Sequence, residues 1–504
     1  MASPQLPPSA DDEQNPKRFQ VQSVWQLLTW VIAPLLIGIA GVGMAKVSVI
    51  CYEINSWIIA RAGFGSLVYM PIGYALLIYA SRKFFPGTGG SGIPQAIAVL
   101  ADYDGRKKSN LLSLRIVVGR VLLLIGGLII GASVGHEGPM VQIGGSLMHA
   151  FFGYSTLKTA EQRQVLVLAG GAAGVAATFN APLGGMMFAM EEMAKKYVFK
   201  GHNRMILTVL LSGLVSLLIM GSYTYFGRYH IDMAFWTHVP AIIVCGVVGG
   251  VFGGLFSLAA QKTPDALPTN LRRMLVHHPM AFAAICGLIV ACLSLATDGA
   301  INGTGYVPTK MALESDAPTH VWFYGLSKFI ATLLSALSGL PGGLFAPTLS
   351  VGGGLGDLVS HILPDLAPHK ALIILVMVAY LAGLTQSPLT AFMVTMEITG
   401  SYELLMPMIA VSLIANFVSL LVCPTSFYHK LALRFEKKPE CKAETSSSAS
   451  DEGHQASSRE ADVVPSAQQG SVAPTQQRVA VDGDFVKPDG EKRDDVNGSA
   501  GGTS

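Results

Sequence analysis

The chain has 504 residues, of which 51% are hydrophobic and 13% are charged, and its formal net charge is +2. A net charge this close to zero gives no indication of nucleic-acid binding. The six cysteines contain no CxxC pair, so neither a metal site nor a disulfide framework is indicated. The composition predicts an all-α polytopic membrane protein and excludes an ordinary soluble globular protein.

Nine uncharged runs reach the ~20 residues that a membrane-spanning helix needs. Basic residues cluster between and beyond these runs, for example at Arg82/Lys83, Arg272/Arg273 and Lys430–Lys438. By the positive-inside rule, these segments and both termini are expected on the cytoplasmic side. The nine runs cover residues 19–45, 62–81, 164–190, 205–227, 233–261, 274–297, 329–356, 371–396 and 404–429.

Residues 1–24 are polar and predicted to be disordered, and helices are expected at about 27–52 and 65–82. The next segment, Gly87-Thr-Gly-Gly-Ser-Gly-Ile-Pro94, matches GxGxxG. A dinucleotide site is disfavoured because no strand precedes the segment and no βαβ unit surrounds it. A short helix that begins near Ser91 fits the segment better, with the Ser91 hydroxyl as a hydrogen-bond donor.

Glu137 is an ionisable residue between two long uncharged runs. A carboxylate at membrane depth is rare, because it costs ~3 kcal/mol even on insertion scales. Pro139 follows two residues later, where it is typical of the first turn of a helix. Glu137 is therefore predicted at a helix start inside the bilayer, beside unpaired N–H groups that favour an anion.

The chain also repeats itself. Adding 208 to the residue number maps Gly135-His-Glu-Gly-Pro139 onto Gly343-Leu-Phe-Ala-Pro347 and Arg120 onto Lys328. Two similar halves with broken helices that begin at Gly- and Pro-rich segments are typical of a repeat-built transporter. Similarity between the halves does not by itself decide whether they are parallel or inverted.

A second offset, of 206, places Glu191 on Glu397, and structural hydrogen bonds are the expected role of both. Helix starts near Ser91, Glu137 and Phe345 are predicted to converge where the repeats meet. Their N–H groups would then face one small anion without the help of lysine or arginine.

These segments together resemble the CLC family of chloride channels and chloride/proton antiporters, in its prokaryotic type without cystathionine-synthase-type regulatory domains. The resemblance implies a CLC-type inverted repeat of about 18 helices, several of them broken or re-entrant, and a homodimer with one pore per subunit. The segments that carry it are Gly-Ser-Gly-Ile-Pro (90–94), Gly-His-Glu-Gly-Pro (135–139), Asn-Ala-Pro-Leu with Glu-Glu (180–192), Gly-Leu-Phe-Ala-Pro (343–347) and Tyr428.

The resemblance also divides the chain into three parts. A polar segment over 1–24 precedes a transmembrane domain over 25–436, whose repeats cover about 25–225 and 233–436. Residues 437–504 are predicted to be a disordered cytoplasmic tail, because they hold almost no apolar clusters. The expected location is the cell membrane, as a multi-pass protein of the bacterial inner membrane.

By motif position, the resemblance implies that Glu137 is the external gating glutamate and Glu192 the internal proton-transfer glutamate. The implied partners are chloride, protons and membrane lipid, with no metal, cofactor or nucleic acid. Two simpler roles stay open: Ser91 as a helix cap and Tyr428 as an interfacial aromatic. The implied chloride-binding residues are Ser91, Gly92, Ile93, Gly138, Phe345, Ala346 and Tyr428.

The chain departs from the family pattern at two positions. His136 stands where the family usually has Arg or Lys, and Met140 where Thr is common. Neither side chain is expected to touch the chemistry directly, although His136 could make the activity pH-sensitive. Phe345 is expected to pack through its ring and to bind through its backbone.

Electrogenic chloride/proton antiport is the favoured function, and no enzymatic activity is expected. A passive chloride channel is the main alternative; a channel does not need Glu192, which could instead pair with Lys195. A remote alternative is an intramembrane serine protease, because Gly131-Ala-Ser-Val-Gly135 matches GxSxG. A histidine only three residues away, His136, is badly placed to activate Ser133.

Overall fold

The computed structural model describes residues 28–101, 109–152, 160–194, 202–221, 224–266, 268–316 and 322–435. These belong to a unit that runs from Met1 to Glu440, and residues 441–504 form a second unit. The predicted segments 1–24 and 437–504, and Lys195, lie outside the described residues.

Helices make up the described part of the chain, which contains no β-strand. The helices of the first half are α1 (Ala33–Ala62), α2 (Ser66–Phe84), α3 (Ile93–Leu100), α4 (Leu114–Ile129), α5 (Glu137–Phe152), α6 (Ala160–Phe179), α7 (Pro182–Phe188) and α8 (His202–Met220). Those of the second half are α9 (Val239–Ala266), α10 (Thr269–His277), α11 (Pro279–Ala296), α12 (Tyr306–Glu314), α13 (Tyr324–Leu337), α14 (Phe345–Ile362), α15 (His369–Thr385), α16 (Pro388–Thr399), α17 (Leu405–Val422) and α18 (Phe427–Ala432).

The order of helices repeats along the chain. Helices α2 to α8 have counterparts in α11 to α17, and each counterpart begins 203 to 213 residues later. The sequence offsets of 206 and 208 lie within this interval. The repeat predicted from short motifs therefore extends to whole helices.

Five stretches of the described residues are helical, long and apolar enough to cross a membrane. Large apolar side chains on α8 and α17, such as Leu218, Phe417 and Leu421, are exposed on the surface of the chain. Exposed apolar helices of this length are typical of a multi-pass membrane protein. The five stretches are Thr29–Phe84, Asn203–Met220, Val239–Thr263, Pro279–Ala296 and Tyr402–Val422.

Two of the nine uncharged runs break at a left-handed residue that is not glycine. The run 164–190 breaks at Asn180 and the run 371–396 breaks at Gln386, where φ is 53° and 56°. A left-handed residue ends the preceding helix, and a proline two positions later begins the next one at Pro182 or Pro388. Each run therefore forms two shorter helices with a turn between them.

Helix α1 is longer than predicted. It continues from the expected end near residue 52 to Ala62, because the first residue that breaks it is Gly63, at φ 47°. The second helix, Ser66–Phe84, agrees with the predicted 65–82.

Glycine allows the helices beside the predicted site to touch closely. A Cβ atom on Gly144 of α5 would lie 2.1 Å from the carbonyl oxygen of Gly170 of α6. In the second half, a Cβ atom on Gly352 of α14 would lie 2.7 Å from Cα of Met377 of α15. Small residues are the usual means of close helix packing in membranes.

Candidate functional site

Two loops pair at the point where the repeats meet. The Gly135 N–H donates to the Gly343 carbonyl at 2.7 Å, and the Gly343 N–H donates to the Gly135 carbonyl at 2.6 Å. These residues precede α5 and α14 and are equivalent under the offset of 208. Their reciprocal bonds place the starts of α5 and α14 side by side.

Glu137 is the first residue of α5, as predicted, and it is only 1% exposed. Its Oε2 atom accepts a hydrogen bond from the backbone N–H of Ala346 at 3.3 Å. Ala346 is the second residue of α14, and the N–H groups in the first turn of a helix have no acceptor within that helix. The Glu137 carboxylate supplies the acceptor for one of them. The tethered anion therefore sits on the positive end of the helix from the other repeat.

The loop before α3 packs against the start of α5. A Cβ atom on Gly138 would lie 2.5 Å from the Ser91 Oγ atom, and one on Gly92 would lie 2.7 Å from the Gly138 carbonyl. The Gly92 N–H donates to Gln95 Oε1 at 3.0 Å, so Gly92 offers no N–H to a ligand. Ile93 begins α3, whose first turn has N–H groups without acceptors inside the helix.

Two buried hydroxyls complete this centre. Ser91 is 5% exposed and Tyr428 is fully buried, and the two side chains interact electrostatically. Within the part of the chain that the structure describes, neither hydroxyl has a hydrogen-bond partner outside this pair. Because a buried polar group without a partner costs free energy, both are available to donate to an anion.

The Phe345 ring packs in the core, as predicted. Its centroid lies 5.5 Å from that of Phe179 and 6.0 Å from that of Phe188. The same residue begins α14, so its backbone lies at the helix terminus that Glu137 contacts. The ring is therefore structural, and the backbone is the part that faces the centre.

Glu192 lies in a π-helical turn, Ala189–Met193, which continues α7. Its side chain is fully buried, and the Ser387 hydroxyl donates to Oε2 at 2.5 Å. The Glu192 carbonyl lies 2.9 Å from Nε2 of His429, and the carboxylate interacts electrostatically with Tyr428. Glu192 is thus connected to the centre through α18.

Glu191 and Glu397 make the predicted structural hydrogen bonds. The N–H groups of Leu389 and Thr390 donate to Glu191 at 3.1 and 2.6 Å. The first N–H groups of α7 donate to Glu397 at the same distances, 3.1 and 2.6 Å. Each carboxylate caps the broken helix of the opposite repeat.

Two buried cations support the site, although no motif in the sequence assigns them a role. Arg120 Nη1 donates to the Gly90 carbonyl at 2.7 Å. Lys328 Nζ donates to the carbonyls of Ile301 and Gly303 at 2.7 and 2.9 Å. Their equivalence under the offset of 208 was visible in the sequence, and each cation holds the loop before the short helix of its own half.

The side chain of His136 lies next to Glu137. Its Nδ1 atom lies 3.5 Å from Glu137 Oε1 and 3.0 Å from the Ser48 hydroxyl. The imidazole is 1% exposed. Because α1 brings Ser48 to this ring, the side chain is fixed beside the carboxylate.

The geometry contradicts a serine protease. The Ser133 hydroxyl lies 2.9 Å from that of Thr332, and its N–H donates to Ser335. His136 bonds to Ser48 instead of Ser133. The described residues therefore do not form a nucleophile–base pair at the GxSxG motif.

Two cavities approach the centre. One has a volume of about 420 Å³ and is lined by His136. The other has a volume of about 740 Å³; it is lined by Ser91 and also by Arg82 and Arg434. Glu137 lines neither cavity, and its carboxylate lies 3.5 Å from His136, which lines the first one.

An all-helical membrane protein with a carboxylate on a buried helix terminus has the architecture of an ion-transport protein. Residues 73–420 match the family model described as "Voltage gated chloride channel". The chain therefore belongs to this family, the CLC proteins.

The fold is similar to that of three solved CLC structures. A slow cyanobacterial Cl−/H+ antiporter has a TM-score of 0.68 and 22% identity, over 82% of this chain and 98% of that one. A eukaryotic CLC transporter has a TM-score of 0.65 and 23% identity, over 81% and 74%. A CLC-type fluoride/proton antiporter has a TM-score of 0.67 and 19% identity, over 83% and 99%. At these identities the likeness concerns the fold.

Proposed function

We propose that this protein exchanges chloride for protons across the membrane and that Glu137 is the gate. The hydrogen bond from the Ala346 N–H to Glu137 Oε2 is the observation that carries this proposal. The ionised carboxylate fills the helix terminus that chloride would use, so the two anions compete. A protonated Glu137 loses most of that attraction and leaves, which ties anion entry to proton uptake.

The proposed chloride path runs between the two cavities. The Ser91 and Tyr428 hydroxyls would donate to the ion at the centre, because both are buried without a partner among the described residues. Backbone N–H groups at the starts of α3, α5 and α14 would complete the coordination. The residues proposed for this backbone contribution are Ile93, Gly138, Phe345 and Ala346, whereas Gly92 contributes only the close approach of its backbone.

Glu192 is the proposed proton-transfer group. Its burial, its bond to Ser387 and its interaction with Tyr428 give it a fixed position near the chloride path. Protons and chloride would share the segment near Glu137 and separate towards Glu192. The exchange moves chloride and protons without converting a substrate into a product, so we propose transport without an enzymatic reaction.

At the level of the molecule, we propose a homodimer of two-repeat subunits, with repeats over about 25–225 and 233–436. Both termini would be cytoplasmic, including the tail over 437–504, in a bacterial inner membrane. The placement of basic segments in the sequence supports this orientation.

Replacing the gate tests the proposal directly. In proteoliposomes with a chloride gradient, the wild-type protein should drive protons against their own gradient. The Glu137→Gln variant should abolish this proton transport and still pass chloride, with little dependence on pH, because an amide keeps the shape of the protonated acid and carries no titrating proton. Proton pumping that persists in Glu137→Gln would reject Glu137 as the gate.

A second substitution separates an exchanger from a passive channel. Glu192→Ala should uncouple proton transport and leave chloride flux, because it removes the proposed proton donor and spares the anion contacts. A wild-type protein that moves chloride without protons would establish the channel instead. Proton coupling that survives in Glu192→Ala would favour the alternative pairing of Glu192 with Lys195.

A further inference from the structure

His136 lies between a cavity and the proposed gate. Its ring lines the 420 Å³ cavity, named here the His136 cavity, and its Nδ1 atom is 3.5 Å from Glu137 Oε1. The other ring nitrogen, Nε2, is buried and has no hydrogen-bond partner among the described residues. An imidazole that has one nitrogen near a carboxylate and the other without a partner among the described residues can accept a proton on one nitrogen and release it from the other.

The hydrogen bonds of Ser48 define where the resting proton lies. The Ser48 hydroxyl donates to the Met44 carbonyl at 2.9 Å, so its oxygen is left to accept a hydrogen bond from His136 at 3.0 Å. The donor must be Nδ1–H, because Nδ1 is the ring nitrogen that contacts Ser48. Neutral His136 is therefore the Nδ1–H tautomer, and the lone pair on Nε2 is ready to accept a proton.

We propose that His136 relays protons between the His136 cavity and Glu137, an inference that rests on the proposed exchange through Glu137. A hydronium ion in the cavity gives its proton to Nε2 and becomes water. The Nδ1 proton then leaves its hydrogen bond to Ser48, and the Nδ1–H bond breaks as this proton forms the O–H bond of Glu137, which becomes neutral. The ring is left as the neutral Nε2–H tautomer, and exchange with cavity water returns it to the Nδ1–H form.

His136 is the residue on the cavity side that we expect to gain and lose a proton. Among the residue types present there, histidine is the one that ordinarily changes charge between pH 5 and pH 8. Arginine or lysine, the usual residues of the family pattern at this position, keep their protons and would not act as a relay. The titratable groups that face His136 or share its cavity are Glu137, Lys46 and Tyr52 of α1, Tyr225, and Tyr306 of α12.

The test uses the full-length protein in proteoliposomes, with proton and chloride fluxes recorded while the pH on the cavity side varies from 8 to 5. His136→Gln and His136→Arg should each lower proton flux by about tenfold or more and remove its pH dependence in this interval, because positioned acid–base groups contribute at least that much. His136→Ala should recover proton flux when imidazole is added on that side. The exposed His230, paired with Glu403 at the surface, gives the matched control His230→Gln, which should behave as wild type.

Chloride flux separates the relay from a purely structural role. In the Glu137→Gln background, adding His136→Gln should leave chloride flux unchanged, because no proton is then required. Unchanged proton flux in His136→Gln, or no recovery with imidazole in His136→Ala, would overturn the relay. If the wild-type protein still couples protons to chloride, the proposed exchange through Glu137 stands in either case. A wild-type protein without proton coupling would overturn both proposals.

Discussion

Ser91 is the residue at which we propose that a single hydroxyl influences ion preference. Its Oγ is buried beside Gly138 and, in the described chain, makes no hydrogen bond to a backbone group. A helix cap would bond to a backbone N–H of its own first turn. The missing bond therefore favours a ligand role for Ser91 over the alternative role of a cap.

Ser91→Ala should weaken chloride binding and alter the preference between chloride and nitrate. A hydrogen bond to a charged group contributes roughly 1.5–3 kcal/mol, which corresponds to a loss of affinity of about tenfold or more. The measurements are chloride binding by isothermal titration calorimetry and the chloride/nitrate flux ratio in liposomes. Ser412→Ala, which removes a buried hydroxyl of α17 that lines neither cavity, is the control. Equal affinity and an equal flux ratio in both variants would return Ser91 to the role of a cap.

The residues that sequence could identify are those whose chemistry conflicts with their surroundings. Glu137 was predictable because it is a carboxylate in an apolar stretch, followed by a proline at the correct spacing. The contact of His136 was not predictable, because its partner Ser48 lies 88 residues earlier in the chain. Ser387, the partner of Glu192, was missed for the same reason, since it lies 195 residues away.

The broken helices are stabilised by carboxylates from the opposite repeat. Helices α7 and α16 each begin at a proline after a left-handed residue, so neither continues the hydrogen bonding of the helix before it. Glu397 caps α7 and Glu191 caps α16. Equal distances at the two ends indicate that the caps are equivalent parts of the repeat.

Removing either cap should destabilise the fold and spare the transport mechanism. Glu397→Ala leaves two N–H groups without their acceptor, which should lower the free energy of unfolding by at least about 1.5 kcal/mol. Glu191→Ala should have an effect of similar size. Thermal unfolding in detergent measures the change, and Glu403→Ala, which removes an exposed surface pair, is the control. A normal melting temperature combined with lost proton coupling would place Glu397 on the proton path instead.

Helix boundaries were predictable where proline or a left-handed residue marks them. The starts of α7 and α16 follow from Pro182 and Pro388. The predicted end of α1 is about ten residues too early. The composition changes near residue 52, but the first residue that breaks the helix is Gly63. The close contact of α5 with α6 depends on which glycines face each other, and a single sequence does not show that pairing.

At the scale of the whole molecule, the proposed machinery lies within one chain. Ser91, Glu137, Phe345 and Tyr428 lie close together inside a single subunit, and the Glu192 carbonyl contacts His429 of α18, the helix that carries Tyr428. No residue from a second copy is needed to complete the N–H groups and hydroxyls that are proposed to hold chloride. Each subunit of the proposed homodimer should therefore transport independently of its partner.

Mixed dimers test this independence. Two differently tagged copies, one wild type and one Glu137→Gln, can be co-expressed and purified through both tags in sequence. In liposomes, the mixed dimer should retain about half of the proton flux of the wild-type dimer. Each copy in a two-fold dimer carries its own site, so one of the two sites remains intact. The wild-type copy should also keep its normal ratio of chloride to protons, once the uncoupled chloride flux measured with Glu137→Gln dimers is subtracted.

A proton flux close to zero would show that the two gates act together, and a single copy recovered after both purification steps would contradict the homodimer itself. Independence is the expected result because the bond that closes the gate, from Ala346 to Glu137, joins two helices of the same chain.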